Sequence, residues 1–307
     1  PTYHGRFNGN LERVELALLG EDIIGGAIDL YEAGSLDTID FASIPVPERD
    51  RARQAHAGEL ISGPTLSTRW VSCFPTGPPL DDVRVRQALV LATDRETLAD
   101  VVLGGYEFPG MGGFVPPGMP GHSPGIGLPY DPELARQLLS EAGYPGGRGF
   151  PSVEAVTWTP VYENIFSYLQ AQWLENIGVA ITWQLVDVET YKSQCQEPWL
   201  AHPHLYLSWW VADYPDPHNF LRVGEAGETR RPWGGVAHAR LVDKASQVTD
   251  QAERMELYRQ ADRMLIEGAF IMPISYPLRH QLIKPWVARY PLTAADKFWK
   301  DVVIEPH

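Results

Sequence analysis

The chain has 307 residues, of which 44% are hydrophobic, 21% charged and 11% aromatic, the balance of a protein that buries a sizeable core and not of a disordered or fibrous one. With 25 Lys and Arg against 39 Asp and Glu the net charge is −14, a field that repels nucleic acid and anionic membrane, and no local basic patch offsets it. No run approaches the roughly 18 consecutive apolar residues of a membrane helix, and two cysteines, Cys73 and Cys195, supply neither a disulfide framework nor a zinc knuckle and read as small buried side chains.

In chain order, Leu11 to Leu19 alternates like a strand, and Glu21 to Ala33 places Ile23, Ile24, Ala27, Ile28 and Tyr31 at helical spacing before Gly34 stops it. A short strand over Leu36 to Phe41, a polar helix over Pro47 to Ala57 and a strand over Thr65 to Phe74 follow. Asp82 and Asp94 are placed to cap two successive helices. From Gly104 to Pro129 the density of Gly and Pro predicts an irregular surface excursion. Asp131, Pro132 and Gly143 then bracket a helix whose predicted buried stripe is Leu134, Leu138 and Leu139.

A strand near Val153 to Trp158, a helix from Tyr162 to Asn176 ended by Gly178, and a strand from Val179 to Val186 repeat the α/β alternation and argue for layered α/β lobes. After a helix-like Glu189 to Gln196, the apolar run Leu205 to Val211 reads as a buried strand that ends in Ala212-Asp213-Tyr214-Pro215-Asp216-Pro217. Helices over Ala239 to Val248 and, with Asp250 as cap, Gln251 to Glu267, strands over Ile271 to Tyr276 and His280 to Ile283, and a loop with a last strand complete the chain.

Gly121-His122-Ser123-Pro124-Gly125 matches a nucleophile elbow in letters only. Its flanks are loop, not strand and helix, and Pro124 removes an amide an oxyanion hole needs. The glycines lack a following Lys-Ser/Thr, and His202, His204 and His218 have no carboxylate cluster around them. Neither an enzyme, a metal site nor a cofactor is implied. What stands out is Trp199, Tyr206, Trp209, Trp210, Asp213 and Tyr214 around one strand end, where an acidic group beside aromatic faces suits an ammonium ligand. The same residues also suit a core in which Asp213 only organises the proline turn.

Several separated segments, in order, resemble the extracellular solute-binding proteins of family 5, the oligopeptide and dipeptide binders of ABC importers. They include GEDIIGGAIDLYEAGSLDTIDF, PLDDVRVRQALVLATDRETLADVV, FVPPGMP, YDPELARQLLSEAGYPGG, WWVADYPDPHNFL and ERMELYRQADRMLIEGAFIMPISY, with DVRVRQAL and ADYPDP the most diagnostic. The resemblance implies a class II periplasmic-binding-protein fold, with two α/β lobes that close on a ligand. It maps 1–66 to the end of lobe I before the crossover, 67–272 to lobe II and 273–307 to the return. On that mapping the chain is lobe II plus part of lobe I, with most of lobe I preceding the position of Pro1.

By the same resemblance Asp213 pairs with a peptide α-ammonium and Trp210 lines the pocket, with Trp209 and Tyr214 as apolar walls. Trp70 and Ser72 are further contact candidates. Leu207 stands where some members carry the arginine that meets the peptide carboxylate, and Tyr162 falls near the matching histidine. The function implied is non-catalytic binding of a peptide or other small molecule by a monomeric, extracytoplasmic importer component that hands its ligand to an ABC permease. An oligosaccharide ligand and a ligand-sensing domain of a cytoplasmic multidomain regulator are the alternatives.

Overall fold

The structure is a computed structural model and describes residues 8–18, 26–75, 77–196, 205–223, 235–290 and 299–307. Its first elements are α1 (Gly26–Glu32), β1 (Thr38–Asp40), α2 (Val46–Ala55), β2 (Leu60–Pro64), β3 (Ser67–Cys73), α3 (Val83–Leu91), α4 (Arg95–Thr97), β4 (Glu107–Pro109), α5 (Pro132–Glu141) and β5 (Val153–Thr157). They continue through α6 (Glu163–Ile177), β6 (Ile181–Leu185), α7 (Val188–Gln196), β7 (Leu205–Val211), α8 (Pro217–Val223), α9 (Gly235–Gln247), α10 (Gln251–Glu267), β8 (Ile271–Ile283), β9 (Val287–Ala288) and β10 (Val303–Ile304).

Four aspartates start helices as their spacing requires. The carboxylates of Asp82, Asp94, Asp131 and Asp250 accept the amide protons of Arg84, Thr97, Leu134 and Glu253, which would otherwise lack intrahelical partners. Gly178 ends α6 in the left-handed conformation at φ 71°, where a side chain would be strained. In α5, however, Ala135 and Leu139 make the buried stripe and Leu134 is 38% exposed. Because α5 packs against both α3 and α6, the face that carries Ala135 and Leu139 is covered and Leu134 falls outside it.

The chain divides into two compact units, one from Pro1–Thr65 with Leu278–His307 and the other from Leu66–Pro277. In the first, β1 and β2 both pair antiparallel with the later part of β8, through Ile39 opposite Leu282 and Ser62 opposite His280. Residues 11–18, where alternation predicts a strand, have no regular structure, and Leu16 is 69% exposed. Alternation gives a strand only when a neighbour takes its backbone hydrogen bonds, and no such neighbour occurs among the described residues. The predicted helix from Glu21 is described only from Gly26 onward.

In the second unit the sheet order is β4-β8-β3-β7-β5-β6, antiparallel except for the parallel pairs β7/β5 and β5/β6. The two strands predicted over Ile271 to Ile283 are one continuous β8. On one face Val71, Cys73, Leu205 and Leu207 pack under α3, α5 and α6. The opposite face carries Phe74, Val156, Tyr191 and Tyr206. Cys73 is a buried thiol whose pKa burial pushes up to about 12, so it behaves as an apolar side chain; the Cys195 side chain lies outside the described residues.

The Gly/Pro segment is where composition misleads most. It forms β4 on the edge of β8, and from Gly112 through Pro116 it is buried, not a surface excursion. A buried irregular backbone survives only if its polar groups find partners, and here distant side chains supply them. Arg95 donates to Gly110 O at 2.6 Å and to Leu128 O, Tyr276 Oη donates to Gly113 O at 2.6 Å and accepts from Gly112 N, and Thr68 Oγ1 donates to Phe114 O at 2.9 Å. Phe114 N donates to the wholly buried Asp262 Oδ1 at 2.7 Å. At Gly113 a Cβ would stand 1.9 Å from Asp262 Oδ2. Gly113→Ala is therefore expected to destabilise the protein by about 1–3 kcal/mol, the range for forcing atoms into a packed interior; an unchanged urea midpoint would show that the segment shifts at no cost.

Candidate functional site

The strand register divides the predicted site residues between two faces, because directly paired residues of β3 and β7 point the same way. Leu207 pairs with Val71 and Trp209 with Arg69 on the α6 side; Trp70 pairs with Ser208, Ser72 with Tyr206 and Trp210 with Thr68 on the other. Leu207 is fully buried in the main core. Tyr162, just before α6, is also buried, edge-on to Trp209 at 5.6 Å, and burial pushes its phenol up to about 12 against the opposing pull of Arg69. Trp209 in turn stacks on Trp158 at 4.8 Å.

Arg69 is a feature that sequence reasoning missed. Its guanidinium pairs with Glu107 and lies over the Tyr162 ring at 5.3 Å, while Ser275 Oγ donates to the second Glu107 oxygen at 2.6 Å. Burial alone would lower the guanidinium; Glu107 and Tyr162 outweigh it and hold it above its ordinary value. Leu207 and Tyr162 thus adjoin a cation already committed to a carboxylate. On the opposite face Ser72 is buried and donates to Tyr206 O at 3.3 Å, and Trp70 is buried edge-on to Phe114 at 4.9 Å. Phe114 in turn meets Phe220 of α8.

Asp213, Tyr214 and Trp210 occupy the mouth of β7. Ala212 N donates to Leu66 O at 3.0 Å, which fixes where the chain leaves the sheet, and Pro215 and Pro217 stop it from extending. Asp216 turns it into α8 by accepting from His218 N at 3.0 Å, with Pro217 at the first helical position, and Arg254 holds the other Asp216 oxygen at 2.6 Å.

Asn219, on the first turn of α8, then reaches back. Its Oδ1 accepts from Trp210 Nε1 at 2.8 Å and from Asp213 N at 3.2 Å, and its Nδ2 donates to Asp213 Oδ2 at 3.1 Å. Asp213 is exposed and makes no ion pair among the described residues, so this acidic group faces solvent with a neutral donor on one oxygen only. Tyr214 is half-exposed, its hydroxyl 3.0 Å from His218 Nδ1. Burial, and then Arg222 and Arg254, lower the His218 pKa, which favours the neutral ring.

This arrangement offers a localised negative charge between an anchored indole and a phenol at the carboxyl end of a strand, which suits a cationic head group. No group of three or more His, Cys, Asp or Glu able to hold a metal occurs among the described residues. Ser123 is buried in loop, without the strand and helix an elbow needs. Trp199, His202 and His204 lie outside the described residues.

Comparison with known proteins places the chain in a family. Residues 8–227 match the family described as "Bacterial extracellular solute-binding proteins, family 5 Middle". The chain is 27% identical, along all of its length, to the probable deoxycholate-binding periplasmic protein YgiS of Escherichia coli strain K12, covering 57% of that protein. It is 25% identical to the periplasmic oligopeptide-binding protein OppA of the same strain, over 94% of this chain and 54% of the relative. The unliganded open form of the murein tripeptide-binding protein MppA superposes with a TM-score of 0.78 at 25% identity, over 92% of this chain and 56% of that one. HbpA2 from Haemophilus parasuis superposes at 0.79 with 23% identity, a likeness of fold. The chain spans about half the length of the curated relatives it matches.

Proposed function

Because the chain belongs to the bacterial extracellular solute-binding proteins of family 5, with the α/β fold of their periplasmic members, we propose that it is the ligand-binding part of a non-catalytic importer component whose ligand carries an ammonium group, a peptide above all. In this reading lobe II runs over 67–272, within the compact unit Leu66–Pro277, and 1–66 with 273–307 supply part of lobe I. The protein acts as a monomer outside the cytoplasm and delivers to an ABC permease. No helix among the described residues is long and apolar enough to cross a membrane.

One observation carries the ligand class: Asp213 is exposed at the mouth of β7 beside Trp210 and Tyr214, with no ion-pair partner among the described residues. A ligand ammonium supplies the missing charge, and the aromatic faces add cation–π attraction. Names among the relatives support a peptide, since OppA is described as oligopeptide-binding and MppA as murein peptide-binding. Deoxycholate, which the name of YgiS specifies for that protein, is an anion that Asp213 repels. The positions where the family resemblance sets the peptide carboxylate partners hold the buried Leu207 and Tyr162, which fits a ligand recognised chiefly by its amino end.

Titration calorimetry of trialanine against wild type and Asp213→Asn tests this. A charge-assisted hydrogen bond of roughly 1.5–3 kcal/mol predicts a loss of about 10- to 100-fold, and N-acetyl-trialanine should bind wild type with a similar deficit. Equal affinity of the two proteins would remove Asp213 from the site, and tight binding of deoxycholate or a cello-oligosaccharide in place of trialanine would change the ligand class.

A further inference from the structure

We propose that Asn219 is a positioning residue for ligand recognition, holding the Asp213 carboxylate and the Trp210 indole in one fixed arrangement so that the second Asp213 oxygen is presented to the ligand's ammonium. The inference rests on the ammonium reading of Asp213 given above.

The amide of Asn219 is used almost to its capacity, and on two residues only. Its oxygen accepts from Trp210 Nε1 at 2.8 Å and from the Asp213 backbone at 3.2 Å, while its nitrogen donates to Asp213 Oδ2 at 3.1 Å. The partners fix the orientation of the amide. Turned over, it would set an NH2 against two N–H donors and an oxygen against a carboxylate. Asn219 itself cannot drift, because it is 4% exposed, its own amide donates to Asp216 O at 3.0 Å, and the neighbouring Phe220 is buried edge-on to Phe114.

The chemistry of the amide matters as much as its place. A lysine or arginine here would neutralise Asp213 and compete with a cationic ligand; an aliphatic side chain would leave an exposed carboxylate to sample several rotamers, whose freezing on binding costs affinity. A neutral donor orients the charge without cancelling it. The oxygen of the same amide holds the indole, so that the aromatic face and the negative charge are set by one side chain. Serving the turn alone would require only a bond to the Asp213 backbone; the bonds to the Trp210 ring and to the Asp213 carboxylate add nothing to the turn and bear directly on the ligand.

The test is a double-mutant cycle in the intact protein, read by calorimetry with trialanine and with N-acetyl-trialanine. Asn219→Leu keeps the branched shape, with somewhat more bulk, and removes the polar contacts. It should weaken trialanine by roughly 10-fold, leave N-acetyl-trialanine unchanged, and cause no further loss when added to Asp213→Asn. Asn219→Ser, which restores a short donor, should recover part of the affinity, and it decides the matter if the leucine variant fails to fold. Losses that simply add across Asp213→Asn and Asn219→Leu would overturn the positioning role and leave the ammonium reading intact, as would full trialanine affinity in Asn219→Leu or, where that variant is unfolded, in Asn219→Ser. An Asp213→Asn protein that binds like wild type would overturn both.

Discussion

Replacing Asp262 by Asn is expected to flatten the dependence of stability on pH and to make the protein more stable than wild type above about pH 7.5. Asp262 lies wholly inside the second unit on α10, with Oδ1 accepting from Phe114 N at 2.7 Å. Oδ2 has no partner in good hydrogen-bond geometry, and the buried Ser123 hydroxyl that faces it is equally poorly placed. The groups facing it are that hydroxyl and the amides of Phe114 and Val115 from the Gly/Pro segment, and the Tyr276 phenol from β8; no cation among the described residues offsets its charge. Burial therefore pushes its pKa from 3.8 up to about 7, with the two amides and the hydroxyl restoring only part of the difference.

The sign follows from proton counting. Between about pH 4 and pH 7 the folded protein keeps a proton that the unfolded chain releases, so this contribution to stability is full below about pH 4, declines as the pH rises, and is gone once the folded group ionises above about pH 7. At roughly 1.4 kcal/mol per pH unit the whole span is on the order of 4 kcal/mol. Asparagine preserves the acceptor for Phe114 and never ionises. Urea midpoints measured from pH 4 to 8.5 should fall with pH for wild type relative to Asp262→Asn; parallel curves would mean that Asp262 does not titrate across this range.

The second large effect is in the main core. Trp173, on α6, is fully buried, its Nε1 donating at 3.0 Å to both Leu89 O and Thr93 Oγ1, and its ring lies nearly parallel to Trp183. It thus joins α6, α3 and the β6 side of the sheet. Trp173→Ala should cost about 3–5 kcal/mol through lost burial and an unfilled cavity, whereas Trp173→Phe, which keeps most of the volume and loses the N–H, should cost about 1–2 kcal/mol. Similar losses in the two variants would assign the effect to the hydrogen bonds instead of the packing.

How much of this was legible in the sequence follows the range of the forces involved. Asp82, Asp94, Asp131 and Asp250 could be read as helix starts because a cap acts across three residues, and Gly178 as a helix end for the same reason. The burial of the Gly/Pro segment could not, since its satisfaction comes from Asp262, 148 residues from Phe114, and from Tyr276 and Arg95. Asp213 and Trp210 stood out by residue type beside a strand end. Asn219 did not, because its three bonds exist only once α8 has folded back toward β7, and the seven residues of α8 carry too weak a pattern to announce a helix. The pairing of Arg69 with Glu107 depended likewise on β3 and β4 both flanking β8.

The path of β8 bears on how the chain acquires its structure during synthesis. One unit is continuous, Leu66–Pro277, while the other needs both Pro1–Thr65 and Leu278–His307. Among the described residues β1 and β2 find their pairing partner in Leu278 to Ile283, and Asn8 N meets Lys300 O. During synthesis more than two hundred residues, the whole of the inserted unit, come between β2 and this partner. Long-range closure of this kind is slow and exposes strand edges to other chains. Residues 278–283 complete these pairings, so the first unit cannot close its sheet before the second has been made through Pro277.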